Sequence, residues 1–130
     1  MTPENVIEQW AKYFNNANTK NILSLYHDSA TLLPTFLPKL LTSNNEIKGY
    51  FEVAFNGDAS VEVNVENAII KELPGNNFLI TGDYIFCLGS KGDKKYLSWY
   101  SFLIDLSSDS PIRHHHSSRV PFEFDLSNTE

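Results

Sequence analysis

Hydrophobic and polar positions change rhythm once along this chain, near Gly57. Before it, Val6, Ile7, Trp10, Ala11, Tyr13, Phe14 and Ala17 recur at helical spacing and form one broad apolar face. Thr2, Pro3 and Glu4 open that helix with a hydroxyl cap, a proline at the first helical position and a carboxylate near the positive end. After Asn18-Thr19 a short helix is predicted from about Lys20 to Tyr26. His27-Asp28-Ser29 then turns the chain into a short strand, Ala30 to Leu33, ended by Pro34. Phe36 to Thr42 is apolar but contains Pro38 and reads as a packed loop. Ser43 and Glu46 form a capping box for a helix whose inner face is Ile47, Tyr50, Phe51, Ala54 and Phe55 and which stops at Asn56-Gly57.

Beyond that point the period is two. Val61, Val63 and Val65 alternate with Glu62, Asn64 and Glu66 in a strand running to about Leu73. Pro74 to Asn77 is a hairpin turn, and Phe78 to Leu88, Lys94 to Leu106 and Ile112 to Val120 are the next three strands. The tail from Phe122 to Glu130 alternates apolar residues and acids, as a further edge strand or a partner contact would. Helices first and a meander of long strands after them is an α+β order. It resembles the NTF2-like, or cystatin-like, cone, in which N-terminal helices pack on a highly curved antiparallel sheet around a pocket.

Composition narrows the picture. The 130 residues fit a single domain, 1–130, and 42% hydrophobic content with nine Phe, six Tyr and two Trp argues for an aromatic core. A net charge of −6 without a Lys/Arg cluster disfavours nucleic acid as a partner. Cys87, alone and in an apolar strand, reads as a small buried hydrophobe that forms no internal disulfide. An acidic start and the absence of a long apolar run predict no signal peptide and no membrane span, hence a soluble, cytoplasmic protein.

Chemistry concentrates in His114-His115-His116-Ser117-Ser118 on the last strand, residues suited to proton transfer and oriented hydrogen bonding. Strict alternation puts Ile112, His114, His116, Ser118 and Val120 on one face and Arg113, His115, Ser117 and Arg119 on the other. Unless a bulge intervenes, the apolar ends turn the first set inward. Consecutive histidines on a strand cannot converge on one ion, which argues against a metal built from the run alone.

Two segments carry a family resemblance. Leu25-Tyr26-His27-Asp28-Ser29-Ala30-Thr31-Leu32-Leu33-Pro34-Thr35, with Glu46-Ile47-Lys48-Gly49-Tyr50-Phe51 after it, resembles an "LYAPDAVLLPT … EIxxYF" pattern. His114 to Pro121 resembles a closing "HHHSSxMP", and Gly82 to Phe86 a "GxYxF" strand. These marks, over about residues 26–121, are similar to the iota-class carbonic anhydrases, whose domain resembles SnoaL-like proteins and the calcium/calmodulin-dependent kinase II association domain. Trp99 stands where that family has an arginine, and Val120 where it has a methionine.

The resemblance implies interconversion of CO2 and bicarbonate by a lyase working without metal, although some members use manganese. It places Thr35, Tyr50, His116 and Ser118 at the catalytic centre, with no cofactor (manganese or zinc less expected) and a homodimer; His114, inward by alternation, and Tyr84 and Tyr100 are expected to line the substrate pocket. In this scheme hydroxyls orient the water and His116 accepts its proton. The alternative is a non-catalytic NTF2-like module that dimerises through its sheet and binds a small ligand. A ketosteroid-isomerase-like enzyme would need an inward carboxylate, and none stands out.

Overall fold

The computed structural model describes residues 1–121; the tail expected as an edge strand or partner contact lies outside the described residues. Helix α1 spans Pro3–Asn15 and starts as expected: the Thr2 hydroxyl accepts from the Asn5 backbone, and the Asn5 side chain accepts in return from the Thr2 backbone. Its face of Val6, Ile7, Trp10 and Phe14 is buried. Helix α2 covers Thr19–Ser24, and strand β1 runs Tyr26–Leu33, so the expected His27 turn is already part of a strand. Helix α3, Asn44–Asn56, buries Ile47 and Phe51. Ser43 caps it, but Glu46 reaches back to the Thr42 backbone and hydroxyl, at 3.0 and 3.3 Å, and to Lys39 at 2.6 Å.

The expected strand from Val61 to Leu73 is two strands. Strand β2, Ser60–Val63, and strand β3, Ile69–Leu73, are separated by a 3-10 turn at Val65–Asn67. Asn64, whose side chain accepts from the Glu66 backbone, opens that turn; such local bonding competes with the ladder. Strands β4 (Asn77–Leu88), β5 (Lys94–Asp105) and β6 (Ile112–Arg119) match expectation closely.

The sheet has six strands in the order β1-β6-β5-β4-β2, with β3 also on β4. It is mixed rather than antiparallel throughout, because β1 lies parallel to β6. That is possible because α3 and four strands separate the two in sequence, room enough for a parallel crossover. The inner face packs Ile80, Tyr84, Phe86, Tyr100, Phe102 and Ile104 against α1 and α3. Trp10 stands at the centre of this core, with ring centroids of Phe14, Tyr84 and Phe102 within 6 Å.

One irregularity decides what the site is made of. Leu103 pairs with His114, but Ile104 pairs with Ile112, leaving Arg113 without an opposite residue. This bulge breaks the alternation, so Ile112 and His115 both face inward although they are three positions apart.

Candidate functional site

The bulge reverses the expected faces. His115 and Ser117 are buried, 2% and 5% exposed, whereas His116 is exposed and His114 and Ser118 are partly exposed. The spacing of the expected His-x-Ser pair survives, displaced by one residue. His114 instead bonds through Nδ1 to the Thr31 hydroxyl at 2.6 Å on the outer side of the sheet.

Around His115 the fold assembles a continuous line of polar atoms inside an aromatic core. Helix α1 contributes the Trp10 indole, whose Nε1–H donates to the Tyr26 hydroxyl at 3.0 Å. Tyr26, at the start of β1, lies 2.8 Å from His115 Nδ1. On the other side of the ring, Nε2 lies 3.0 Å from the Tyr84 hydroxyl of β4. Tyr84 donates to Ser117 Oγ at 2.5 Å, and Ser117 in turn bonds the Thr35 hydroxyl from the loop after β1. Phe102 stacks on the imidazole at 3.8 Å between centroids. Thus the expected site residues Thr35 and Tyr84 join the cluster, while Trp10 and Tyr26 enter it unexpected.

Burial sets the electrostatics. It pushes the His115 imidazole well below its ordinary range, helped by the two neighbouring histidines, so the ring is neutral. The same desolvation raises Tyr26 and Tyr84 well above 10, so both keep their protons. A neutral imidazole with both nitrogens engaged is a poor base. The proton-accepting histidine expected at position 116 therefore has no counterpart facing the core.

A hollow of about 500 Å3 opens between α3 and the loop after β1; Phe14, Phe36, Tyr50, Ala54, Phe86 and Leu88 give it apolar walls, and none of the residues of the polar line reaches it directly. Behind it an inner niche of about 10 Å3, bounded by Phe14, Tyr50, Phe86, His115 and Ser117, has room for about one water-sized group. Tyr50 belongs to both, as a wall rather than as a member of the polar line; burial raises it to about 12, partly offset by a hydrogen bond from the Phe36 backbone. A shallower groove outside holds Thr35, Lys39, His116, Ser117, Ser118 and Arg119.

Tyr100, expected in the pocket, lines none of these hollows. Its ring lies over Gly82, its cross-strand partner, where a Cβ would stand 2.6 Å from the hydroxyl. That hydroxyl is buried with no hydrogen-bond partner among the described residues. Metal ligation is not favoured by the donor set either. The three adjacent histidines divide between two faces of the sheet, and no group of three or more His, Cys, Asp or Glu is gathered for an ion among the described residues.

Comparison with solved structures now gives the architecture its name. A protein described as a calcium/calmodulin-dependent protein kinase II association domain, from Xanthomonas campestris, matches with a TM-score of 0.78 and 24% identity over 88% of this chain and 83% of its own. The fold is NTF2-like. An NTF2-like protein of unknown function from Shewanella oneidensis MR-1 matches at 0.70, with 12% identity over 88% of this chain and 93% of its own. A ketosteroid isomerase-like protein from Erwinia carotovora atroseptica matches at 0.72, again 12% identical, over 92% and 94%. No family profile matches the sequence, and no curated protein matches it. Identities this low speak to the NTF2-like architecture and not to a shared activity. No helix among the described residues is long and apolar enough to cross a membrane.

What made Trp10 and Tyr26 hard to find is that both sit on apolar faces, where they read as core. The available signal was chemical. A buried histidine needs partners, and in an aromatic interior those are the polar tips of Tyr and Trp.

Proposed function

We propose that this chain is an NTF2-like module that binds a small, mainly apolar ligand in the 500 Å3 cavity and assembles as a homodimer through the outer face of its sheet. The observation that carries the reading is the cavity itself. It is of a size for small-molecule sites, apolar, and backed by a niche with polar groups at its end, the combination ligand pockets usually show.

Gly49 supplies the test. It lies on α3, lines the cavity, and a Cβ added there meets nothing within 4 Å. Gly49→Leu projects a side chain into the cavity from an open Cβ position and replaces a poor helix former, a gain of up to about 1 kcal/mol. The variant is expected to melt at or above the wild-type temperature and to lose binding of an apolar fluorescent probe such as anilinonaphthalene sulfonate. Unchanged probe binding would overturn the cavity reading.

A second reading, CO2 hydration, is favoured by the paired hydroxyls of Thr35 and Ser117 beside a niche with room for about one water. Those hydroxyls would orient water and receive bicarbonate oxygen, with His115 holding Tyr84 in place. Stopped-flow hydration with a pH indicator, with and without chelator, decides it. Turnover above buffer that Ser117→Ala abolishes supports the lyase; no turnover in either condition removes it.

A further inference from the structure

The polar line from Trp10 to Thr35 has a direction. Indole Nε1–H can only donate, so the Tyr26 oxygen accepts from it, at 3.0 Å. Tyr26 is buried at 1% exposure among aromatic rings, and its own proton has one close acceptor, His115 Nδ1. Leaving that proton unpaired in the core would cost the desolvation of a buried donor. With Nδ1 accepting, the neutral ring carries its hydrogen on Nε2 and gives it to the Tyr84 oxygen. Tyr84 then donates to Ser117, as the geometry already requires.

Counting protons locates the free end. The six groups Trp10, Tyr26, His115, Tyr84, Ser117 and Thr35 carry six N–H or O–H hydrogens, and the five contacts between them use five. The sixth cannot be at the inner end, which is closed by a donor. It belongs to Ser117, which lines both the inner niche and the outer groove, or to Thr35, which lines the groove.

We propose that Trp10 fixes the polarity of this chain, so that its Ser117–Thr35 end presents a hydrogen-bond donor and selects a ligand with an apolar body and an acceptor oxygen. The inference rests on the small-ligand reading for the identity of the occupant; the polarity itself does not. The niche admits a group about the size of one water, which suits a carbonyl oxygen, while the larger hollow takes the apolar body. Trp10 acts here as a positioning residue, three groups removed from Ser117.

Side-chain 15N NMR of the ligand-free protein tests the polarity. His115 is expected as the Nε2–H tautomer in the wild type. Trp10→Phe keeps a ring in the core but frees the Tyr26 oxygen to accept from Nδ1–H, so the Nδ1–H form gains population. A wild-type Nδ1–H tautomer, or a Trp10→Phe variant that stays folded with the tautomer unchanged, overturns the role of Trp10. If Trp10→Phe fails to fold, the wild-type tautomer still decides the direction. Binding of acetophenone against ethylbenzene then tests the ligand class. The ketone is expected to bind about twofold to tenfold more tightly, one net hydrogen bond. Equal affinities overturn the donor end, and binding of neither probe overturns the cavity reading while the tautomer result stands.

Discussion

Burying His115 as a neutral ring gives the fold a pH dependence that a surface histidine would not. Its folded-state pKa is driven well below the ordinary value by burial and by His114 and His116. Below about pH 6.5 the unfolded chain binds a proton that the folded chain refuses, so stability falls as pH falls, by up to about 1.4 kcal/mol per unit, until the folded value is reached. His114, lowered by partial burial and by His116, adds to the same slope more weakly. The carboxyls of Glu46 and Asp105, held low by their Lys39 and Ser107 neighbours, act in the same sense in a more acidic window. Urea unfolding between pH 7 and 5 is therefore expected to show a steady loss of stability that is smaller in His115→Gln. A flat profile would mean that the ring is charged in the core or not buried. At this scale the sequence was only partly legible. The residue types at the site were visible in the His-Ser run, in Thr35 and in Tyr84, but the partners were not, because Trp10 and Tyr26 obey the same apolar periodicity as the core around them.

The strand explains the displaced site. Alternation read from Ile112 forward assigns His114 inward, and it goes wrong at one residue, Arg113, whose guanidinium approaches Asp105 at 3.5 Å on the neighbouring strand. Nothing in a Ile-Arg-His-His-His run announces an extra residue; a bulge is a property of the pair of strands, and both sides must be known to see it. The same limit applies to β2 and β3, where the alternation of valines continues through a turn that takes the chain out of the ladder. Helix boundaries were legible for a physical reason: caps such as Thr2 and Ser43 act within one turn, so their signal is local. Deleting Arg113 gives the bulge a direct test. Ile112 would then precede His114 with regular alternation, leaving His115 and Ser117 inward. The deletion variant is expected to fold and keep probe binding, with stability reduced by the loss of the Arg113–Asp105 contact and the local twist. Loss of the His115 tautomer signal in a folded deletion variant would show that the bulge does more than set the face.

At the scale of the molecule, the two faces of the sheet divide the proposed roles. The inner face holds the polar line, and the outer face shows a cross-strand row of Asp83, Trp99 and Ser118, with Leu97 beside it. Trp99 is 51% exposed and Leu97 39%, large apolar surface for a monomer to leave in water. Sedimentation is expected to give a dimer for the wild type and a monomer for Trp99→Lys, with probe binding retained. A monomeric wild type would show that another surface does the assembling, or none.

The bulge also bears on how the chain finds its register. Pairing a strand one residue out of place normally exchanges an apolar interior set for a polar one, and the energy gap corrects the mistake. In β6 the run of like residues blunts that correction. Shifted by one, the strand presents His116 and Ser118 at the positions of His115 and Ser117, an imidazole and a hydroxyl still two residues apart. The polar line could then close in either register, and discrimination falls to the residues flanking the run: Ile112, which must stay buried, and Arg119, whose guanidinium lies 4.7 Å from the Tyr96 ring. A sequence that repeats its chemistry is thus forgiving of slippage at the site and must be strict at its margins.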